Sequence, residues 1–422
     1  MQKERLISLD VLRGITILMM VIVNNPGSWN AIYSPLLHAE WNGCTPTDLV
    51  FPFFIFILGI AIPLAISSKV FNATTCNKII TRSLRIICLG LFLNFFSRIY
   101  FLNLTEIPLV IFRLLVTLII GYALMGNYNE KWKMYIAIFI FSGFMIVAFG
   151  TTAFADVRIT GVLQRIGIVY FFASLTYLLT SIRTQLAITI LILLGYWATM
   201  TLIPVPGIGA PNLEQGTNFS GWIDQIILGN HIYPATKTWD PEGLFSTLPA
   251  IAQGILGLLV GQMLLKNLSK IERIKKILVF GIVLTILGWL WSLLFPFNKS
   301  IWTSSYVLYT SGLATLLLGI LFFFIDLKNY KKRLIPLIIW GVNPMIVFFL
   351  SGIIPRALAM IQIENPKNIG EKISIQKYFY TYSLEPLFNN PMNASLTHAL
   401  IFVLFFQIVL YVLYKKNIII KV

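Results

Sequence analysis

The sequence has few charged residues, few cysteines and few histidines. Only 11% of its 422 residues are charged, whereas 57% are hydrophobic, and the mean hydropathy is +0.82. Large water-soluble domains carry about 25% charged residues, so a soluble globular fold of this length is excluded. The three cysteines, Cys44, Cys76 and Cys88, form no CxxC pair and lack zinc-ligand spacing. We therefore expect neither a disulfide framework nor a metal site.

The hydrophobic residues form long runs separated by short basic clusters. Such runs are typical of helical membrane proteins, because a helix satisfies its own backbone hydrogen bonds in lipid. They lack the period-two alternation of a β-barrel strand. We predict an all-α polytopic protein of the lipid bilayer with about 12 transmembrane helices of about 20 residues. These spans lie near 8–26, 48–68, 83–101, 107–126, 133–150, 161–181, 185–203, 246–265, 277–295, 304–325, 334–356 and 394–414.

The net charge of +16 would by itself fit nucleic acid or acidic lipid as a partner. With the N-terminus in the cytoplasm, however, cytoplasmic segments hold 22 of the 32 lysines and arginines, and the other side holds eleven of the 16 acidic residues. This split follows the positive-inside rule, so we expect both termini in the cytoplasm and no nucleic-acid partner. Because Met1–Asp10 is polar, no cleavable signal is expected either.

The same topology puts three polar segments, 27–47, 204–245 and 357–393, on the outer face of the membrane. Outer loops of this length usually have a function, and a polar substrate could be held there. We interpret 1–422 as a single transmembrane domain, with 204–245 and 357–393 as its outer-face loops.

His38 is the first candidate catalytic residue. It lies in "HAEWNG", directly before the second hydrophobic run, and histidine is the usual proton carrier at neutral pH. Asp48 follows closely enough to orient the imidazole. Glu40, Trp41 and Asn42 are candidate substrate contacts beside it. The alternative is a loop histidine that makes one backbone hydrogen bond.

Asn24 and Asn25 end the first hydrophobic run. An amide N–H aimed at a developing oxyanion is a common stabilising device, which makes Asn24 a second catalytic candidate if the following loop returns His38 to it. The alternative is that these amides join neighbouring helices by hydrogen bonds.

Basic residues lie at the cytoplasmic ends of the first and third spans. Arg13, Lys78, Arg82 and Arg85 are candidates to bind an anionic cytoplasmic ligand. Asp10 lies three residues before Arg13, so a local ion pair at the helix end is an equally good interpretation of that arginine.

Three further charged residues are candidate substrate contacts. Arg165 lies within a hydrophobic span, where charge usually serves function, although it is near enough to the end to reach the interface. Asp240 and Glu242 flank Pro241 in an outer loop and suit an amine- or hydroxyl-bearing substrate, or are simply solvated.

Asn343-Pro344 should interrupt the eleventh span. A broken helix at membrane depth usually lines a cavity.

Several sequence blocks together resemble the heparan-α-glucosaminide N-acetyltransferase family. They extend from residue 8 to the end of the sequence, so the resemblance is nearly full length. The blocks read "SLDVLRGITILMMVIVNNPG", "LLHAEWNGCTPTDLVFPFFIFILG", "RITGVLQRIGIVYF", "TWDPEGLFSTLPAI", "IWTSSYVLYTSG" and "YVLYKKNIIIKV".

The resemblance implies a bacterial inner-membrane enzyme that moves an acetyl group from cytosolic acetyl-CoA, its acyl donor, to an amino sugar or other cell-wall-type carbohydrate in the periplasm. It assigns the active histidine to His38 and the neighbouring asparagine to Asn24. The lysosomal member lacks a counterpart of 104–155, so this stretch is expected to be a two-helix insertion.

Two routes are open for such a transfer. His38 either removes a proton from the acceptor during direct attack, which we favour, or becomes acetylated first. A sugar transporter without chemistry and an O-acetyltransferase of an envelope glycan are the alternative functions. The acceptor, the length of the donor acyl chain and the choice between monomer and homodimer stay open.

Overall fold

The computed structural model describes residues 5–66, 69–368, 370–420 and 422. Lys3 and Lys421, which contribute to the predicted charge asymmetry, lie outside the described residues. Helices make up 71% of the structure. The only described sheet is a hairpin of β1 (Gln362–Glu364) and β2 (Lys372–Ser374), paired antiparallel with Gln362 opposite Ser374.

The helices are numbered in chain order. The first eight are α1 (Ile7–Asn24), α2 (Val50–Ala65), α3 (Ala73–Phe95), α4 (Glu106–Met125), α5 (Glu130–Gly150), α6 (Val162–Leu179), α7 (Ile182–Leu202) and α8 (Phe219–Leu228). The remaining seven are α9 (Thr247–Leu265), α10 (Lys270–Ser292), α11 (Ser304–Leu321), α12 (Ile335–Val342), α13 (Pro344–Met360), α14 (Ile375–Tyr378) and α15 (Pro391–Lys415).

Among the described residues, eleven helices are long and apolar enough to cross a membrane, and one bent pair brings the number to 12. They coincide with the predicted spans apart from shifts at the ends, the largest being at α3, which begins at Ala73 and not near residue 83, so the all-α polytopic class is confirmed. The sidedness of the termini stays a prediction.

The centre of the bundle is the packing of α2 against α9. Glycines bring the two backbones together: a Cβ atom on Gly59 would lie 2.0 Å from the carbonyl oxygen of Gly254, and one on Gly257 would lie 2.1 Å from that of Phe56. Small residues at such crossings are typical of membrane bundles. In the most apolar window of each helix, 61% of the residues of α2 and 78% of those of α9 are buried.

Helices α4 and α5 lie at the periphery of the bundle. Only 28% and 11% of their apolar windows are buried by the rest of the chain. This hairpin spans the predicted insertion 104–155, and its interpretation as an insertion stays a prediction.

The predicted break at Asn343-Pro344 is confirmed. Segments 332–342 and 344–360 meet at 67°, because proline cannot donate its backbone nitrogen to the helix. The Asn343 side chain binds the segment after α15 instead: its Nδ2 donates to the Ile418 carbonyl at 3.0 Å, and its Oδ1 accepts from the Ile420 N–H at 2.8 Å.

Candidate active site

His38 and Asp48 form a close pair at the start of α2. The His38 Nδ1 lies 2.6 Å from Asp48 Oδ1. The second oxygen, Oδ2, accepts from the backbone N–H groups of Ala39 and Thr45 and from the Thr45 hydroxyl, each at 3.0 Å. Asp48 is therefore fixed on every side, and only 1% of its side chain is exposed, compared with 49% for His38.

This geometry determines the tautomer of the imidazole. A carboxylate only accepts hydrogen bonds, so Nδ1 carries the proton that His38 donates to Asp48. The Nε2 atom of the neutral ring is then an acceptor. A ring held in this way can take a proton from a group that approaches Nε2.

His38 lines a cavity of about 110 Å³. Asn24 from the end of α1 and Glu242 from the 204–245 loop line the same cavity, and so does Lys299. Apolar side chains of α1, α2, α6 and α13 complete its wall. Among the described residues, none makes a hydrogen bond to the Asn24 side chain, which leaves its amide free to act in the cavity. Its neighbour Asn25 is buried and donates to the Val21 carbonyl.

Lys299 is a residue that the sequence reasoning missed. Its Nζ lies 3.2 Å from both ring nitrogens of His38. An ammonium nitrogen in the plane of the ring and 3.2 Å from both ring nitrogens would overlap the Cε1 carbon between them. The Lys299 ammonium must therefore lie over the face of the ring. One signal was available: positive charge is sparse on the predicted outer side, so a lysine in the short loop between α10 and α11 is unusual.

Asp240 and Glu242 have different surroundings. Asp240 accepts from Arg158 through both oxygens, at 2.5 and 2.9 Å, and from the Thr160 hydroxyl at 2.5 Å. The side chain of Asp240 is fully buried by these partners, so it faces no cavity. Glu242 shares Arg158 at 2.5 Å and also reaches the His38 cavity. Of the two predicted carboxylates, Glu242 alone is placed to meet a ligand there.

Asp224 on α8 holds the turn that carries Glu242. Its oxygens accept from the backbone N–H groups of Asp240 at 3.3 Å and Leu244 at 2.9 Å. Gly243 permits this approach, since a Cβ atom there would lie 2.0 Å from Asp224 Oδ2. Burial raises the pKa of Asp224 to about 7, against the effect of those two hydrogen bonds.

The other predicted outer residues lie near the cavity but do not line it. Arg165 is buried, donates to Ser246 Oγ at 2.6 Å and stacks over Trp302, 4.9 Å from the ring centre. Trp41 donates to the Leu213 carbonyl at 2.9 Å, Asn42 accepts from Asn298 at 3.2 Å, and Glu40 is exposed. These contacts fasten the outer loops together.

The predicted basic residues line two cavities at the other end of α2. Lys78, Arg82 and Arg85 line one of about 740 Å³, and Arg13 and Arg82 line a neighbouring one of about 350 Å³. Ile419 and Val422, from the end of the chain, contribute to both walls.

These four cations differ in whether their hydrogen-bond donors already have partners within the protein. Arg85 donates to the carbonyls of Leu124 and Gly126 at the end of α4, and Arg13 donates to Asp10 and to the Gly341 carbonyl. Arg82 stacks over Tyr170 at 4.7 Å, and its buried Nε has no hydrogen-bond partner among the described residues. Lys78 is exposed.

Helix α2 connects the two ends of the site. With its preceding turn it runs from Thr47 to Ala65, 19 residues or about 28 Å at the rise of an α-helix. Thr47 lines the His38 cavity, Ala65 lines both basic cavities, and Phe54 lines the His38 cavity and the 350 Å³ cavity. Phe54 therefore lies between the spaces at the two ends.

Comparisons with known proteins identify relatives of this chain. A family model described as a domain of unknown function, DUF5009, matches residues 5–201. The chain is 27% identical to a heparan-alpha-glucosaminide N-acetyltransferase of Homo sapiens, over 99% of this chain and 60% of the relative. It is 26% identical to the protein of the same name in Mus musculus, over 82% of this chain and 53% of the relative.

The chain thus spans little more than half the length of these two relatives. The matches nevertheless cover nearly all of its own length. The chain is therefore similar to the heparan-α-glucosaminide N-acetyltransferases, which confirms the resemblance seen in its sequence blocks.

Proposed function

We propose that this protein is a membrane-embedded acetyltransferase that takes its acetyl group from acetyl-CoA on one side of the membrane and delivers it to an amino sugar on the other. The observation that carries the proposal is the arrangement along α2. A His38–Asp48 pair faces a cavity at one end, and basic cavities lie at the other end. The names of the two relatives support the reaction class.

The basic end suits the nucleotide part of the donor. Phosphates are bound best by charge-assisted hydrogen bonds from arginine and lysine, and Lys78, Arg82 and Arg85 surround a space of about 740 Å³. The unpartnered Nε of Arg82 is a donor without an internal acceptor. The neighbouring cavity is lined mainly by apolar residues such as Ile57, which suits a slender pantetheine arm.

His38 is the general base in this proposal. As the acceptor amine attacks the thioester carbonyl, a C–N bond forms and His38 Nε2 takes the proton that the nitrogen loses. The carbonyl electron pair moves onto oxygen, and the Asn24 amide donates to that oxyanion. When the C–S bond breaks, its electron pair leaves with sulfur, and His38 returns the proton to the thiolate.

Asp48 and Glu242 support this step in different ways. Asp48 accepts from Nδ1 and so directs Nε2 of the neutral ring towards the acceptor, and it stabilises the imidazolium while it exists. Glu242, whose carboxylate lines the same cavity, suits the amino group of an amino sugar. We prefer direct transfer to an acetyl-His38 intermediate, because an acyl-imidazole on a half-exposed ring would hydrolyse readily.

The bacterial inner membrane, with the basic end in the cytoplasm and the acceptor in the periplasm, is part of the same proposal. It follows from the charge asymmetry of the sequence, under which Lys78 and Arg82 are cytoplasmic and His38 is outer.

Transfer can be tested directly with purified protein and acetyl-labelled acetyl-CoA. Glucosamine-type sugars, muropeptides and neutral sugars would be offered as acceptors, and labelled products separated by mass. We expect N-acetylated amino sugar, with heat-denatured protein as the control. Label on a neutral sugar would instead identify an O-acetyltransferase. Sugar uptake into proteoliposomes without any labelled product would refute the proposed chemistry.

A further inference from the structure

Lys299 is held against His38 by the loops that carry the two residues. The Gly43 N–H donates to the Phe297 carbonyl at 2.7 Å, and Asn298 Nδ2 donates to Asn42 Oδ1 at 3.2 Å. Within its own loop, Asn298 also accepts from the Ile301 N–H at 3.1 Å. These bonds fix the distance between the ammonium and the imidazole, so their 3.2 Å approach is built into the fold.

We infer that Lys299 is a second catalytic residue of the reaction proposed above, stabilising the oxyanion together with the Asn24 amide. Both side chains line the cavity that His38 Nε2 faces. Because the ammonium lies over the ring face, it leaves the in-plane lone pair of Nε2 open to the acceptor. A positive charge fixed beside the reacting carbonyl stabilises the negative charge that develops there and needs no rearrangement during the reaction.

Two carboxylates oppose the effect of burial on Lys299. Burial lowers the pKa of Lys299, and Arg165 lowers it further, whereas Glu242 and Asp48 attract the ammonium. The neighbouring Cys44 stays a neutral thiol, because burial raises its pKa to about 12. The charged and titratable groups that face Lys299 are thus His38, Asp48, Glu242, Cys44 and Arg165.

A nucleophilic role for Lys299 is chemically unsuitable. Attack by a neutral Lys299 amine on the thioester would form an amide, which does not pass its acetyl group to a sugar amine. Lys299 therefore acts in the proposed step through its charge and not as a nucleophile.

The test compares Lys299→Met and Lys299→Arg with the wild type, with the exposed outer lysine variant Lys237→Met as the matched control. We expect Lys299→Met to lower kcat by about 10²–10³-fold, as for loss of one oxyanion donor, with little change in the KM of acetyl-CoA. Lys299→Arg should recover much of that loss, and Lys237→Met should behave as wild type.

The pH profile separates this role from a structural one. The alkaline limb of the kcat profile of Lys299→Arg should move to higher pH than that of the wild type, because arginine keeps its charge where a buried lysine loses it. A folded Lys299→Met enzyme with wild-type kcat, or a Lys299→Arg enzyme whose alkaline limb does not move, would overturn the inference. A wild-type protein that transfers no acetyl group would instead refute the proposed function.

Discussion

The two ends of α2 are built in opposite ways. At the His38 end, the two buried aspartates are already occupied: Asp48 accepts four hydrogen bonds, and Asp240 is enclosed by Arg158 and Thr160. At the basic end the space is several times larger, and the buried Nε of Arg82 has no partner among the described residues.

This difference indicates that the two ends of α2 have different roles, catalysis at one and binding of the donor at the other. Catalysis benefits from groups fixed before the substrate arrives, since their arrangement then needs no reorganisation in the transition state. A binding site for a large anion needs donors that its own protein has not already satisfied. The outer end therefore fits the reacting atoms, and the basic end fits the phosphates of the donor.

Removing the imidazole of His38 should have the largest effect on the acetyl-transfer rate and separate the roles of the two ends most clearly. His38→Ala removes the proposed general base, and we expect the acetyl-transfer rate to fall by about 10²–10⁴-fold. Binding of acetyl-CoA, measured at equilibrium with labelled donor, should be unchanged, because the proposed phosphate-binding residues line a cavity at the opposite end of α2.

Two results would identify the cause of that loss. Free imidazole in the buffer should restore part of the activity of His38→Ala, because the truncation opens space beside Asp48. His38→Gln, which fills that space, should gain less from added imidazole. A His38→Ala enzyme that retains wild-type turnover would show that the base is another residue.

A smaller effect is expected at the basic end, where Arg82→Gln removes charge without disturbing a helix end. Hydrogen bonds to charged groups contribute about 1.5–3 kcal/mol, so the KM of acetyl-CoA should rise about 10–100-fold while kcat changes little. Arg183→Gln, an exposed arginine on α7 that lines neither basic cavity, is the matched control. If Arg82→Gln lowers kcat and leaves KM unchanged, the basic end does not bind the donor.

The sequence predicted the spans well because hydrophobic length is a local property. The 67° bend between α12 and α13 could equally be predicted, because the proline of Asn343-Pro344 interrupts a helix by its own covalent geometry. The "HAEWNG" block likewise located the His38–Asp48 pair, whose members are ten residues apart.

What could not be predicted depends on contacts between distant segments. Lys299 is 261 residues from His38, and no local pattern connects the two. Asp240 and Glu242 look equivalent in sequence, yet Arg158, more than 80 residues earlier, buries the first and leaves the second at the cavity. Arg85 likewise binds carbonyls at the end of α4, 39 and 41 residues later in the chain, and no local pattern connects them.

The smallest effect on activity is expected at Asp224, which supports the outer end without lining its cavity. Burial raises its pKa to about 7, well above the 3.8 of an ordinary aspartate. The folded protein therefore holds a proton that the unfolded chain has lost, so this group stabilises the fold most at low pH. The stabilisation is lost as the pH rises through about 7.

Asp224→Asn replaces the carboxyl group with a neutral amide of the same shape that still accepts from the Leu244 N–H. The apparent Tm in detergent should consequently fall less between pH 5 and 8 in Asp224→Asn than in the wild type, with kcat near its wild-type value. Asp156→Asn is the matched control: its hydrogen bond with Arg98 lowers the pKa of that exposed carboxyl group, so it titrates below this pH range and the slope should equal that of the wild type. If the apparent Tm falls equally with pH in Asp224→Asn and in the wild type, Asp224 is ionised throughout the range from pH 5 to 8. The turn that carries Glu242 would then be held by a carboxylate.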